Sequence, residues 1–309
     1  MVTRSVNRSQ ARSHKASART ALQPASAQTA GSNGSSAAEA GTLRRLYASL
    51  LRCRAVQEHL RGLSSEQARS AEYDFAIGHE AVAVGVTAEL RPEDTITASH
   101  RNLVARIARS APDDGPRLYE KGDPVAWQPG TITATSLPED PFNLGVGIAL
   151  AHKLERKQRV VVAFCAQQKP GLEFWHDGLR FAAVHKLPVI FVTEQGITGD
   201  SPRDLAPHLE PVSFFARHHG FPGIIVDGQD VVAIWRVAQE SIHRARNGSG
   251  PTLIDCRTDP LRDPLEHLEQ YMRKRKLWDE SCREECRRKT ELSEVSGQAP
   301  PEVKPQSEI

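Results

Sequence analysis

The sequence predicts an α/β fold in which a parallel sheet is flanked by helices on both faces. Two observations predict it. Short apolar segments of strand length recur in the second half of the chain, and a helical pattern separates each from the next. Strands that alternate with helices form parallel sheets, because a helical crossover returns the chain to the same end of the sheet. The chain is therefore expected to contain one α/β domain.

Composition places the chain among ordinary soluble proteins. The 309 residues are 39% hydrophobic and 25% charged, and the net charge is +2. This balance implies no obligatory polyanionic partner such as nucleic acid, and no apolar run is long enough to cross a bilayer. The 5 cysteines show no zinc-binding spacing, and an odd number does not suggest a disulfide framework. We expect reduced thiols, and neither nucleic acid nor a membrane as a partner.

Residues 1–42 differ from the rest of the chain. Basic residues outnumber acids there, in a background of Ser, Ala, Gln and Thr: Arg4, Arg8, Arg12, Lys15 and Arg19 against Glu39. Large apolar residues are too few to offset the entropy cost of ordering, so we expect a disordered tail. An Arg- and Ser-rich, acid-poor N-terminus is also typical of an organellar transit peptide. A cytoplasmic location is expected, and a mitochondrial one if the tail is such a peptide.

The first predicted element is an amphipathic helix that begins at Thr42, a residue suited to cap a helix N-terminus. Its apolar residues recur at helical spacing: Leu43, Leu46, Tyr47, Leu50 and Cys53. A second helix is predicted over residues 78–90, ahead of Pro92. Because it has almost no polar face, this helix should be buried. Residues 111–141 are rich in Pro and Gly and predict a long loop.

From Phe142 onward helices and strands alternate. Small residues around Gly145 predict a helix that allows close backbone approach. The predicted strands lie at 160–164, 188–193, 223–226 and 252–256, and the predicted helices at 172–185, 206–219, 228–246 and 265–277. The segment after Glu280 is charged and then Pro-rich. Residues 281–309 are therefore expected to form a frayed tail, and residues 43–280 the folded domain.

Several segments, in their order and spacing, resemble the alpha subunits of pyruvate, branched-chain 2-oxo acid and acetoin dehydrogenases. Within residues 43–280 they lie at 46–60, 78–86, 99–102, 159–164, 181–194, 225–231, 250–255 and 262–280. The resemblance implies the thiamine diphosphate-binding fold, with thiamine diphosphate and Mg²⁺ as cofactors. It also implies a beta subunit that completes the cofactor site, usually in a heterotetramer, and a lipoyl-bearing acyltransferase as a further partner.

The metal motif of that family is altered in this chain. The family holds the metal with a Gly-Asp-Gly after the strand, an Asn further along the chain and a nearby backbone carbonyl. Here Gln167 occupies the Asp position, Gly196 occupies the Asn position, and Thr198 would supply the carbonyl. A Gln amide lacks the charge that makes Mg²⁺ surrender water, and Gly offers no side-chain ligand. Both positions stay candidates for cofactor contact, but the metal site is expected to be lost.

A second departure lies before the last helix. The resemblance implies a His-bearing loop there, which closes on the cofactor in active relatives and whose His assists the reaction. This sequence runs from "LIDCRTDP" straight into "LRDPLEHLEQYM", so the loop is expected to be deleted. His267 belongs to the apolar-periodic last helix and is expected to be structural.

Basic residues are candidates for contacts with the cofactor's diphosphate. Arg101, in the segment "SHRN", offers forked donors that suit phosphate oxygens, and a structural ion pair is the alternative. His100 either contacts the cofactor or caps the buried second helix. Lys169 follows the altered metal motif, where its ammonium could neutralise a phosphate without a metal or remain solvated.

Other histidines and acids are expected to be structural. Glu173, His176 and Asp177 follow the altered motif, and Asp177 falls where the resembling family keeps a Glu on a packing helix. His218 and His219 are adjacent, so on a helix their rings point about 100° apart and cannot easily share a metal.

Together the departures predict a catalytically degenerate alpha-type chain, a pseudoenzyme with no catalytic residue of its own, that acts as a subunit or partner. An active alpha subunit that oxidatively decarboxylates a 2-oxo acid or cleaves acetoin is the first alternative. In that case the beta chain and substitutes such as Gln167 would hold the cofactor. A non-enzymatic binding module on the same fold is the second alternative, because a fold does not fix a function.

Overall fold

The computed structural model describes residues 32–62, 77–99, 103–109, 130–134, 140–166, 173–195, 212–259 and 261–290. Its strands are β1 (Thr95–Ser99), β2 (Thr131–Ala134), β3 (Val161–Ala166), β4 (Val189–Gln195), β5 (Gly223–Asp227) and β6 (Thr252–Arg257). Its helices are α1 (Ser32–Gly62), α2 (Glu80–Thr87), α3 (Leu103–Arg109), α4 (Asp140–Leu154), α5 (Glu173–Val184), α6 (Val212–His218), α7 (Val231–Arg246), α8 (Pro264–Lys274) and α9 (Glu280–Thr290). The strands form one 6-stranded sheet in the order β2-β1-β3-β4-β6-β5, and all neighbours pair in parallel.

The sheet separates two apolar cores, as the predicted fold requires. Alternate residues of a strand face opposite sides. In β3, Val162 belongs to the core that contains residues of α1, α2, α3, α7, α8 and α9, whereas Val161 and Ala163 belong to the core that contains residues of α4, α5 and α6. The expected α/β class, a parallel sheet with helices on both faces, is thus confirmed. In the part of the chain that the structure describes, no helix is long and apolar enough to cross a membrane.

Two predicted helices have the expected environment. Every residue of α2 is buried, because α2 packs against α1, α3 and α7. Gly145 allows α4 to approach the sheet closely, since a Cβ at this position would lie 2.9 Å from the Cβ of Ala163 and 3.0 Å from Oγ1 of Thr97. The first residues of α4 are therefore held against β1 and β3.

Strands β1 and β2 were not predicted. The expected loop at 111–141 is wrong at its end, where residues 131–134 form β2 and α4 begins at Asp140, while 111–129 and 135–139 lie outside the described residues. Both strands are short and rich in Thr, so their sequence has no clear apolar run. Pairing fixes them as strands: Ile96 of β1 lies opposite Thr131 of β2 and Val162 of β3.

The N-terminal boundary at residue 42 is also wrong. Helix α1 begins at Ser32, so Thr42 is an interior residue and not a cap. The Ala-rich residues before it favour helix, and Glu39 makes ion pairs with Arg275 at 2.5 Å and Arg236 at 3.6 Å. The predicted stripe from Leu43 to Cys53 is buried as expected. Residues 1–31 lie outside the described residues.

The C-terminal boundary at residue 280 is wrong for a similar reason. Residues 280–290 form α9, which packs against α1. Cys282 and Cys286 lie four residues apart on one face of this charged helix, and both are buried. Arg283 reaches Glu269 of α8 at 2.6 Å. The charged composition suggested a frayed tail, but the helix places its cysteines in the core.

Candidate functional site

The candidate residues follow three neighbouring strands at the carboxyl edge of the sheet. His100 and Arg101 follow β1, Gln167 follows β3, and Gly196 follows β4. The sheet order places β3 between β1 and β4. The candidate segments therefore follow adjacent strands of the same sheet.

This edge contains a topological switch point. From β1 the chain passes through α3 on one face of the sheet to the edge strand β2, and from β3 it passes through α5 on the other face to β4. Ligands of open parallel sheets bind outside the carboxyl ends of the strands, where adjacent connections diverge in this way. The crevice between β1 and β3 is therefore the site that the fold favours.

All the residues predicted to contact the cofactor or its metal lie outside the described residues. These are His100, Arg101, Gln167, Lys169, Gly196 and Thr198. Their predicted roles therefore stay predictions. What the structure describes is the frame around them: the strand ends, the first turn of α4 and a buried acid on β4.

The first turn of α4 is fixed beside the switch point. Oγ1 of Thr97 donates a 2.6 Å hydrogen bond to the carbonyl oxygen of Pro141. The next residue, Phe142, is fully buried and stacks on Phe191 of β4 at 4.5 Å between ring centroids. Gly178 of α5 leaves room for this ring, because a Cβ there would lie 2.2 Å from Cε1 of Phe142. The partial positive charge of the α4 N-terminus is thus held at the edge where an anion would bind.

Glu194 is a buried acid on β4 at the same edge. Its neighbours in register are Ala166 of β3 and Cys256 of β6. Burial raises the pKa of Glu194 to about 8, and burial, followed by the Glu194 and Asp255 carboxylates, raises the pKa of the Cys256 thiol well above its usual value. Among described residues none donates a hydrogen bond to the Glu194 carboxyl. At neutral pH this acid is therefore largely uncharged.

We expect Glu194→Gln to stabilise the protein at alkaline pH. The folded protein keeps the Glu194 proton up to about pH 8, whereas the unfolded chain releases it near the ordinary pKa of 4.5. The free energy of unfolding of the wild type therefore falls as pH rises from 4.5 to about 8. The neutral amide removes this loss, which is on the order of a few kcal/mol above that range.

Urea unfolding on either side of neutral pH measures this effect. The gain from Glu194→Gln should be large near pH 9 and small near pH 5. Glu240→Gln, at an exposed position of α7, is the matched control and should leave the pH dependence unchanged. An equal gain from Glu194→Gln at both pH values would show that the carboxyl is charged in the folded protein.

The residue types at the two implied ligand positions are poorly suited to the metal, and the loss of the metal site stays a prediction. Mg²⁺ requires oxygen ligands with substantial negative charge. The two side-chain positions hold Gln167 and Gly196, and the nearby Glu194 is largely protonated. Within the described ranges no group of three or more His, Cys, Asp or Glu side chains could hold a metal ion.

A short connection stands where the family places its His-bearing loop. The carbonyl oxygen of Asp259 accepts hydrogen bonds from Nε2 of Gln229 at 2.7 Å and from the backbone N–H of Arg262 at 3.0 Å. Arg262 also pairs with Asp227 at 2.7 Å. His267 lies in α8, where Nδ1 is 3.2 Å from the carbonyl oxygen of Gln229. This contact supports the structural role predicted for His267.

A buried ion cluster supports the same edge from the other face of the sheet. Arg54 of α1 binds Glu80 at the start of α2 at 2.5 Å and Asp263 at the start of α8 at 2.8 Å. His79 precedes Glu80 and is buried, and burial lowers its pKa. Sequence reasoning missed this cluster because its members come from distant segments. The acid at the first position of α2 and the Asp that precedes the proline of α8 were the available signals.

The fold defines an α/β protein whose candidate ligand site lies at the switch point of a parallel sheet. The chain belongs to the family of dehydrogenase E1 components, whose model matches residues 48–261. This membership confirms the resemblance to the alpha subunits of 2-oxo acid and acetoin dehydrogenases, and with it the expected fold.

Two relatives illustrate the similarity. The alpha subunit of acetoin:2,6-dichlorophenolindophenol oxidoreductase from Bacillus subtilis (strain 168) is 32% identical over 227 residues, covering 69% of this chain and 68% of that protein. The alpha subunit of 2-oxoisovalerate dehydrogenase from the same organism is 30% identical over 233 residues, covering 68% of each.

Solved structures match more distantly. Benzoylformate decarboxylase from Polynucleobacter necessarius has a TM-score of 0.42 and 16% identity, covering 59% of this chain and 33% of that one. The chain thus spans about a third of the length of that protein. This match adds nothing to the family assignment.

Proposed function

We propose that this chain is an alpha-type subunit of a thiamine diphosphate-dependent 2-oxo acid dehydrogenase that has lost its metal ligands and acts as a non-catalytic partner of a beta subunit. One observation carries the proposal. The strands that precede both metal positions, β3 and β4, pair in register from Val161 and Val189 to Ala166 and Glu194, yet the positions after them hold Gln167 and Gly196. The two strands are retained, but the metal-binding side chains of the family are replaced.

Two further features support a degenerate subunit. Glu194, between the two metal positions in the sequence, is largely uncharged at neutral pH and does not add the missing charge. The connection from β6 to α8 spans only residues 258–263, and the carbonyl oxygen of Asp259 accepts hydrogen bonds from Gln229 and Arg262, which supports the predicted loss of the His-bearing loop. Arg101 and Lys169 are the residues through which a diphosphate could still bind without a metal.

The relatives support the partner. Both are named alpha subunits, and an alpha subunit functions with at least one other chain. We therefore propose a beta subunit as the direct partner, in a heterotetramer, and a lipoyl-bearing acyltransferase as a more remote one. In such an assembly the chain would contact the other subunits but would not take part in the reaction at the cofactor.

We expect thiamine diphosphate with Mg²⁺ to leave the thermal stability of the purified chain unchanged, with or without a beta subunit encoded by the same genome. A ligand at about a hundred times its dissociation constant would add about 2.7 kcal/mol to the free energy of unfolding. Size-exclusion chromatography with light scattering tests the association in the same samples. Stabilisation by the cofactor together with decarboxylation of a 2-oxo acid would show an active subunit. Absence of any beta association would favour the binding module.

A double variant sharpens this experiment. Gln167→Asp with Gly196→Asn returns both side-chain ligands of the family and is expected to create Mg²⁺-dependent stabilisation by thiamine diphosphate. Turnover should stay absent because the loop is still missing. Gln168→Asp with Gly196→Asn is the matched control, since it adds the same charge one position away. A wild-type response equal to that of the double variant would contradict the loss of the metal site.

A further inference from the structure

Two histidines from different helices meet on the face of the sheet that α4, α5 and α6 cover. Nδ1 of His176 on α5 lies 3.1 Å from Nε2 of His219, the residue that follows α6. The ring of His176 also packs edge-on against Phe215 of α6, with 4.7 Å between the ring centroids. At this separation one ring nitrogen donates its proton to the other, so at least one ring must be neutral.

The contact joins the helices that follow the candidate site. Helix α5 follows β3 after the segment that contains Gln167, and α6 follows β4 after the segment that contains Gly196. Phe215 of α6 adds a second contact to α5 through the ring of His176. A change at the histidine pair would therefore act on the two helices that follow the candidate positions in the sequence.

The charges around the pair favour a proton-linked role over a metal site. Burial lowers the pKa of His219, and His176, His218 and Arg180 lower it further. Arg217 of α6 donates to the carbonyl oxygen of Gly223. Asp177 is exposed and is not among the groups that shift the pKa of His219. A metal ion would find two nitrogens, positive neighbours and, within the described ranges, no third ligand.

We propose that His176 and His219 form an acid-sensitive clasp, which holds α5 against α6 while one ring is neutral and opens when both rings are protonated. Two protonated rings have no acceptor between them and repel each other at this distance. Opening would release α6 from α5 without unfolding the sheet. The clasp operates whether or not the chain binds thiamine diphosphate.

The direction of the pH dependence follows from the lowered pKa of His219. The unfolded or opened state takes up the proton near the ordinary value of 6.5, whereas the closed state takes it up only at lower pH. The closed clasp is therefore fully stable above 6.5 and loses stability as pH falls below it. The opening constant should rise by up to about tenfold per pH unit in that window.

Hydrogen–deuterium exchange tests the clasp, with rates corrected for the intrinsic effect of pH. Amides of α6 and those that follow His176 in α5 should lose protection between about pH 7.5 and about pH 5, while those of α7 stay protected. His219→Phe keeps a ring but removes the titrating nitrogen, so this variant should show no selective loss. His176→Phe keeps the contact with Phe215 and should behave in the same way. If one variant does not fold, comparison of the other variant with the wild type still tests the clasp.

His185→Gln changes the exposed histidine that directly follows α5 and should respond like the wild type. The clasp would be excluded if wild-type α6 kept its protection at low pH. It would also be excluded if the loss persisted in the phenylalanine variants, or if His185→Gln abolished it. A pH response that disappeared on addition of EDTA would show a shared metal ion and would overturn the proposal as well.

Discussion

Arg54→Leu is expected to lower the free energy of unfolding by about 3–5 kcal/mol, because it leaves a buried carboxylate without its partner. The guanidinium of Arg54 binds both carboxylate oxygens of Glu80, at 2.5 and 3.0 Å, and Oδ2 of Asp263 at 2.8 Å. The Glu80 side chain is only 1% exposed. Water therefore cannot replace the lost partner.

The pKa values of this cluster agree with a strong interaction. Burial alone would lower the pKa of Arg54, but the hydrogen bonds from Glu80 and Asp263 outweigh it and raise the pKa. Burial would raise the pKa of Asp263, yet the bond from Arg54 and the backbone N–H of Leu265 lower it. The contribution of Asp263 is thus present above its ordinary pKa of 3.8 and is lost as pH falls below it.

Chemical denaturation at neutral pH measures the effect of Arg54→Leu. Arg44→Leu is the matched control, since it makes the same change at an exposed position of α1 and should alter stability by less than about 0.5 kcal/mol. Adding Glu80→Leu to Arg54→Leu should recover part of the loss, because no buried charge then lacks a partner. If the double variant were less stable than the single one, lost packing and not the uncompensated charge would be the cause.

Sequence patterns predicted the parts of the fold in which side-chain periodicity reports burial. The stripe on α1 and the all-apolar α2 are examples, since burial of one face or of all faces leaves a direct trace in the sequence. Strands β1 and β2 were missed because "TITAS" and "TITA" are short and half polar. Their conformation depends on pairing with neighbours that are distant in the sequence.

The same limit applies to the site. The motif positions Gln167 and Gly196 could be placed at the carboxyl edge because each directly follows an apolar strand. Contacts between elements could not be predicted. Sequence reasoning considered His218 with His219, which are adjacent, whereas the contact is between His219 and His176, which lie 43 residues apart.

Two clusters of buried polar residues, one around Arg54 and one around Asp94, stabilise opposite edges of the sheet. The Arg54 cluster joins α1 to the starts of α2 and α8, and α8 begins after the carboxyl end of β6. A second cluster, centred on Asp94, lies at the opposite edge, where β1 and β3 begin. Damage to the first should affect both stability and any ligand binding. Damage to the second should affect stability alone.

Asp94→Ala is therefore expected to lower the free energy of unfolding by about 3–5 kcal/mol with no separate effect on the site. The Asp94 side chain is fully buried and accepts hydrogen bonds from Arg246 at 2.7 and 3.0 Å. It also accepts from the backbone N–H groups of Arg91 at 2.7 Å and Val160 at 3.0 Å. Alanine leaves these donors without their acceptor, and the Arg246 side chain is only 9% exposed.

Three variants separate charge from shape at this position. Asp94→Asn keeps an acceptor oxygen but loses the charge. It should therefore lower the free energy of unfolding by less than Asp94→Ala does. Glu93→Ala removes an exposed acid next to it, whose distance to Arg91 is 4.0 Å, and should change stability by less than about 0.5 kcal/mol. Equal losses for Asp94→Asn and Asp94→Ala would show that the charge, and not the backbone acceptor, joins β1, β3 and α7. A loss for Asp94→Ala no larger than that for Glu93→Ala would mean that water reaches this edge of the sheet.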